Sequence, residues 1–120
     1  MKYKTLVLGA SSKPDRYSNI AVNRLSNNGH EVVAIGRSAG QINGIDIRTG
    51  QPQLDDVHTI TLYLRPEYQK EQYDYILSLA PKRIIFNPGT ENPELIRLAK
   101  ERGIETEVAC TLVMLAADTY

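Results

Sequence analysis

Thr5-Leu6-Val7-Leu8 is an unbroken apolar run that stops at Gly9, the pattern of a short strand buried on both faces. A loop rich in Ser, Pro and Lys follows. From 18 to 28 the periodicity becomes helical, with Ala21, Val22 and Leu25 on one face. Ser18 is placed to cap the start of that helix, and Gly29 to take the left-handed turn that ends it. Glu31-Val32-Val33-Ala34-Ile35 predicts a second buried strand, stopped at Gly36. Between Arg37 and Asp56 the periodicity fails. Gly40, Gly44, Gly50 and Pro52 punctuate a long connection in which Ile45-Asp46-Ile47 can form a short edge strand. A third main strand is expected over 57–64, with Ile60, Leu62 and Leu64 on one face. Pro66 suits the first turn of a helix running to about Leu79. A fourth strand over 83–86 leads to a helix that opens at Asn92-Pro93, carries Leu95, Ile96, Leu98 and Ala99, and stops at Gly103. A fifth strand over 104–108 and a short closing helix over 111–117 complete the chain.

Strands alternating with helices at this spacing predict an α/β fold, a parallel sheet covered on both faces. The 120 residues fit a single domain spanning 1–120. Hydrophobic residues at 42% and charged residues at 23% are ordinary for a globular chain, which excludes disordered and fibrous classes. Fourteen Lys and Arg balance fourteen Asp and Glu, so no overall field draws the protein to nucleic acid or to an anionic membrane. An anionic ligand must therefore be held by a local site. Apolar stretches of about six residues are far short of the ~20 that span a bilayer, and no secretory signal follows Met1. With Cys110 as its single cysteine, the chain is expected in the reducing cytoplasm.

Ligands of open parallel sheets settle beyond the carboxyl ends of the strands, where the strand order reverses. The first such segment, Gly9-Ala10-Ser11-Ser12-Lys13-Pro14-Asp15-Arg16, has the residue types a phosphate needs. Small residues admit close backbone approach, hydroxyls and two cations surround it, and a helix start presents N–H groups. It has neither the Walker spacing nor the G-x-G-x-x-G pattern, and it also fits an ordinary strand-to-helix turn. After the second strand, Gly36-Arg37 places a cation where nucleotide-binding domains meet a ribose. It suits the extra ribose phosphate of NADP or coenzyme A, or is simply a solvated arginine. After the fourth, Asn87-Pro88-Gly89 can hydrogen-bond an amide-rich ligand, with Glu91 read as a charge at a helix start.

No catalytic set emerges. His30 and His58 fall at the starts of strands, on the edge away from this site, and Asp55-Asp56 reads as a solvated turn there. No metal-ligand spacing is present, Ser11 and Ser12 have no nearby base, and no Tyr-x-x-x-Lys pair occurs. Cys110, ahead of a short helix, is either a thiol of lowered pKa or a small buried hydrophobe.

These residues resemble the small stand-alone CoA-binding domain proteins, which are similar to the CoA-binding domain of the succinyl-CoA synthetase alpha subunit. The resemblance runs from Thr5 to about Cys110. It rests on Val7-Leu8-Gly9-Ala10-Ser11, then Pro14-Asp15-Arg16 and Ser18, Gly29-His30-Glu31-Val32, Arg65-Pro66-Glu67, Pro88-Gly89-Thr90-Glu91-Asn92 and Cys110. It implies a Rossmann-like three-layer sandwich with a five-stranded parallel sheet in the order 3-2-1-4-5. It also implies a pyrophosphate cradle at Gly9, Ala10, Ser11, Ser12 and Lys13, supported by Arg16 and Ser18. Gly36 and Arg37 would approach the ribose, Leu64, Arg65 and Pro66 would line the adenine or pantetheine side, and Asn87, Pro88 and Gly89 would guide the pantetheine arm. The chain departs from the family in having Gly36-Arg37 for Asn-Pro, and Phe86-Asn87-Pro88-Gly89 for a Trp-x-Gln-Gly-like segment.

The expectation is thus a non-catalytic module that binds a small nucleotide ligand, coenzyme A or an acyl-CoA, with its protein partner unspecified. Two rivals remain: an NADP-binding reductase-like protein, and a scaffold that has lost its nucleotide.

Overall fold

The computed structural model describes residues 2–120. In chain order the elements are β1 (Thr5–Leu8), α1 (Tyr17–Asn27), β2 (Val32–Ile35), β3 (Gly40–Ile42), β4 (Ile45–Arg48), β5 (Thr59–Leu62), α2 (Pro66–Gln69), α3 (Tyr73–Ser78), β6 (Arg83–Phe86), α4 (Pro93–Glu101), β7 (Glu105–Val108) and α5 (Thr111–Ala116). They build an α/β Rossmann-like sheet of seven strands in the order β3-β4-β2-β1-β5-β6-β7, parallel except for the β3–β4 pair.

Two expectations about the sheet need correction. The sheet has seven strands rather than five. The strand after the long connection also lies against β1, pairing Thr5 with Thr59 and Leu8 with Leu62, and not outside β2. The position beside β2 is filled from within the connection itself, where Asn43 (φ 47°) and Gly44 (φ 83°) make a two-residue turn and Ile42 pairs with Ile45. Both turn residues need the left-handed region, which an Asn-Gly pair supplies. Around the turn, buried Ile42 and Ile47 alternate with exposed Gln41 and Asp46. β4 then pairs parallel to β2, so the next strand must cross back to the free side of β1. The order of the chain across the sheet therefore reverses between β1 and β5.

The sheet is a packed middle layer because its central strands β1, β5 and β6 are buried on both faces. In β1, Leu6 and Leu8 enter the larger core with Ile60, Ile84 and Phe86, covered by Ile76 of α3 and Leu95 and Ala99 of α4. Val7 faces the opposite way, with Ala34, Ile42 and Ile47 beneath Val22 and Leu25 of α1 and Leu115 of α5.

Ser18 is not the cap of α1. Arg16 occupies that position without a side-chain hydrogen bond, and Ser18 is buried one residue into the helix. Gly29 (φ 87°) does end it. The helix expected over 66–79 is broken by a tight turn at Lys70–Gln72. On one side of that turn, fully buried Gln69 donates to the Leu64 and Thr90 carbonyls at 2.7 and 2.8 Å. On the other, the Tyr75 hydroxyl donates to the Pro52 carbonyl at 2.5 Å, so the chain changes direction between two fixed points.

At the amino-terminal edge of the sheet, an aromatic and cationic cluster ties the two ends of the chain together. Tyr3 stacks on His58 at 4.0 Å, and Tyr120 meets His30 edge-on at 4.8 Å. The Arg83 guanidinium lies 4.3 Å from the Tyr120 ring centroid, and the Tyr120 hydroxyl is 2.5 Å from that of Thr5. The Tyr3 N–H donates to His30 Nδ1, a role for that nitrogen only in a neutral ring. Burial lowers both imidazole pKa values, helped by Lys2 at His30 and by Arg83 and Lys82 at His58. A lowered folded pKa means that the unfolded chain takes protons first. Stability should therefore be full above the free-imidazole value of 6.5 and fall as pH drops through it. Thermal melts across that range should show the loss, and His58→Gln should reduce it, leaving the share that belongs to His30.

Candidate functional site

Three strand ends meet where the chain order reverses. Leaving β1, the N–H groups of Gly9 and Ala10 both donate to the Ile35 carbonyl at 2.9 Å, which holds the loop against the end of β2. A Cβ at Gly9 (φ 104°) would sit 2.8 Å from the Tyr63 carbonyl carbon and oxygen, beyond β5. A Cβ at Gly36 would sit 2.2 Å from the Ala10 carbonyl oxygen. These two glycines let three backbones pack with no side chain between them.

Beyond that junction the loop is held by its own bonds. The Asn19 amide donates to the Ser11 carbonyl at 3.0 Å, the Lys13 N–H to Ser11 Oγ at 3.2 Å, and the Arg16 N–H to the Lys13 carbonyl at 3.1 Å. The loop delivers the chain to an α1 N-terminus with no side-chain cap and no acidic residue in its first turn. Asn92, by contrast, caps α4 by accepting from the Leu95 N–H.

Above the junction lies a cleft of about 680 Å³. Its lining takes Gly9, Ala10, Ser11, Ser12, Lys13, Arg16 and Ser18 from the β1–α1 segment, Arg37 from the end of β2, and Leu64 and Arg65 from the end of β5. The structure thus brings together ten of the residues singled out in the sequence. Gly36 lines an adjoining cleft of about 260 Å³ with Gly50 and Glu71. Pro66 starts α2 and lines neither.

Asn87, Pro88 and Gly89 are not brought to the cleft. Asn87 is 2% exposed and its amide is fully engaged. Its nitrogen donates to Thr61 Oγ1 at 2.6 Å and to the Leu62 carbonyl at 2.8 Å, and its oxygen accepts from the Thr111 N–H at 2.8 Å. It pins α5 across β5 and β6. Glu91 accepts from the Gly89 N–H at 2.8 Å and so shapes the same loop. Cys110 sits half-buried between β7 and α5, outside the lining. His30 and His58 lie at the opposite edge of the sheet.

Tyr17, Ser38, Tyr63 and Tyr68 also line the cleft, and Asn19 anchors its loop. Tyr63 was legible: if Ile60, Leu62 and Leu64 face one way, Thr61 and Tyr63 face the other, under α1. Its hydroxyl is buried with no hydrogen-bond partner among the described residues, and burial pushes its pKa up to about 12. Asn19 gave no signal, because its role depends on a loop carbonyl eight residues back.

Lys13, Arg16, Arg37 and Arg65 give the cleft four cations, and no carboxylate lines it. The chain as a whole is neutral. These four cations stand beside the positive end of a helix dipole. The described residues contain no cluster of three or more His, Cys, Asp or Glu side chains placed to hold a metal ion, and no helix long and apolar enough to cross a membrane.

The family model described as a CoA binding domain matches residues 3–116. This chain belongs to that CoA-binding domain family. A crystal structure of an uncharacterized protein is 48% identical, with a TM-score of 0.98 over 100% of this chain and 99% of that one. A conserved hypothetical protein from Pyrococcus furiosus is 26% identical, with a TM-score of 0.76 over 88% of this chain and 91% of its own. A hypothetical protein from Pyrococcus horikoshii OT3, at 24% identity and a TM-score of 0.86, covers 97% of this chain and 83% of its own and shows the same fold. No curated protein matches the chain at a significant level.

Gly36→Ala tests the backbone junction. Its Cβ would meet the carbonyl of Ala10, in a loop tied to the end of β2 by two hydrogen bonds, so stability should fall by about 1–3 kcal/mol. Denaturant unfolding measures this; an unchanged midpoint would mean that the loop yields freely.

Proposed function

We propose that this member of the CoA-binding domain family is a non-catalytic binding module for coenzyme A or an acyl-CoA, seated in the cleft at the β1–β5 reversal. The observation that carries the reading is the four-cation, carboxylate-free lining in a chain of zero net charge. A diphosphate would lie over residues 9–13, facing the N–H groups of Ser11 and Ser12, which the loop's own bonds leave unused, and the uncapped start of α1, with Lys13 and Arg16 beside it. Arg37, across the crevice, is placed for a further phosphate on the ribose. Family membership supports coenzyme A in general; the loop assignment rests on the geometry.

The lining also supports a role in binding rather than chemistry. It offers hydroxyls from Ser11, Ser12 and Ser38, but no carboxylate, imidazole or thiol to act on them as a base. Both histidines belong to the aromatic cluster at the far edge.

Isothermal titration with coenzyme A, run beside NADP and NAD, tests the ligand. Saturable binding of coenzyme A alone is expected, and binding of NADP alone would replace this reading with the reductase-like one. Arg37→Ala should weaken coenzyme A by about tenfold, the loss of one charge-assisted contact, and dephospho-CoA much less. Equal losses for both ligands would remove the ribose-phosphate role of Arg37.

A further inference from the structure

Arg37 and Arg65 leave the ends of β2 and β5, on opposite sides of the β1 loop, yet both are drawn to one ring. Their guanidinium carbons lie 5.6 and 5.4 Å from the centroid of Tyr68, so the two cations are at most about 11 Å apart. Tyr68, on α2, is itself 45% exposed and lines both clefts. Bringing two like charges together costs energy, and little nearby acid offsets it. Arg65 pairs with Glu67 at 3.2 Å, but both side chains are well over half exposed, a setting in which an ion pair contributes little. Arg37 forms no ion pair among the described residues, and Glu71 only borders the adjoining cleft. The Tyr68 ring is a contact both arginines share: Arg37 has it without an ion pair, and Arg65 has it beside its exposed pair with Glu67.

That arrangement has a chemical consequence. A carboxylate partner competes with an incoming anion, whereas a ring releases its cation to one; Arg37 is free in this sense, and Arg65 has only an exposed, weak pair with Glu67 to give up. Two planar guanidiniums offer paired donors to separate oxygens of the same group, which matches a dianionic phosphate monoester better than a singly charged diphosphate oxygen. We propose that Arg65 completes with Arg37 a two-arginine subsite for a ribose phosphate monoester, and that Tyr68 is the positioning residue that holds the pair ready for it. This rests on the coenzyme A reading for the identity of the ligand, but the subsite has its own test. It gives Arg65 a different task from lining the adenine or pantetheine side. Tyr68 acts through the arginines, so its loss should be felt only by ligands that carry the monoester.

The experiment is calorimetric titration of wild type, Arg65→Ala, Tyr68→Leu and Tyr68→Phe with coenzyme A, dephospho-CoA, adenosine 3′,5′-bisphosphate, adenosine 2′,5′-bisphosphate and 5′-AMP. Arg65→Ala should weaken coenzyme A by about tenfold and leave dephospho-CoA nearly unchanged. Tyr68→Leu should act in the same direction by a smaller factor, and Tyr68→Phe, which keeps the ring face, should restore the wild-type preference. If Arg65→Ala leaves coenzyme A unaffected, or either variant weakens coenzyme A and dephospho-CoA equally, the subsite is overturned while the coenzyme A reading stands. Equal weakening by Tyr68→Leu would mark a ring that only stacks on the base.

Should coenzyme A fail to bind, a preference of wild type for either bisphosphate over 5′-AMP that Arg65→Ala abolishes would uphold the subsite and discard the ligand. The 3′ and 2′ isomers then tell a coenzyme A-type from an NADP-type phosphate. No preference for either bisphosphate, with no coenzyme A binding, overturns both.

Discussion

Two positions without side chains set the geometry of this molecule. At Gly9 the chain leaves β1 at a positive φ, with the Tyr63 carbonyl where a Cβ would stand, and at Gly36 it leaves β2 directly under the Ala10 carbonyl. Because the three backbones can touch, the β1 loop lies flat across the reversal point, and its hydrogen bonds to Ile35 keep it there. The cleft above is what remains once the loop has been held down. The departure from the family's Asn-Pro after the second strand falls at this contact. Gly36 meets a steric demand there, and the neighbouring Arg37 is free to face the crevice.

The two edges of the sheet are built in opposite ways. The amino-terminal edge is closed: Tyr3, His30, His58 and Tyr120 meet by stacking and hydrogen bonds and join the first residues to the last. Arg83 lies over the Tyr120 ring and is bonded to Thr59 and Glu107, though its Nη2 has no partner among the described residues. The carboxyl edge is open and leaves Lys13, Arg16 and Arg37 without an ion pair among the described residues, helix N–H groups without a cap and a tyrosine face shared by two arginines. Polar groups that pair among themselves build structure, while those held apart from their natural partners are available to a ligand. Asn87 lies on the structural side of that line, despite standing at a strand end where ligands are usually met.

Much of this was legible in the sequence, for local reasons. The apolar runs at Thr5–Leu8 and Arg83–Phe86 and the periodicity of α4 marked elements that tertiary packing only had to accept. The phosphate-type loop was visible because its chemistry is contiguous. What escaped depends on contacts distant in sequence, or on a short signal overlooked among others. The Asn43-Gly44 turn is such a signal, lost among the other glycines of the connection. The edge strand at 45–47 was legible, but its hairpin partner was not, and the order 3-2-1-4-5 that the resemblance implies leaves no place for the pair beside β2. The engagement of Asn87 by Thr61 and Thr111, and the meeting of Arg37 with Arg65 over Tyr68, join residues more than twenty positions apart. No periodicity records such pairs.

The central claim is that the backbone of residues 9–13 and the start of α1 receive the ligand's diphosphate. An amide-resolved NMR titration with coenzyme A tests it most directly. Saturable shifts should concentrate at the N–H groups of Ser11, Ser12, Tyr17 and Ser18, while Tyr3, His30 and His58 at the closed edge stay still. Shifts centred on that closed edge, or on the Asn87 loop with the β1 loop silent, would contradict the account.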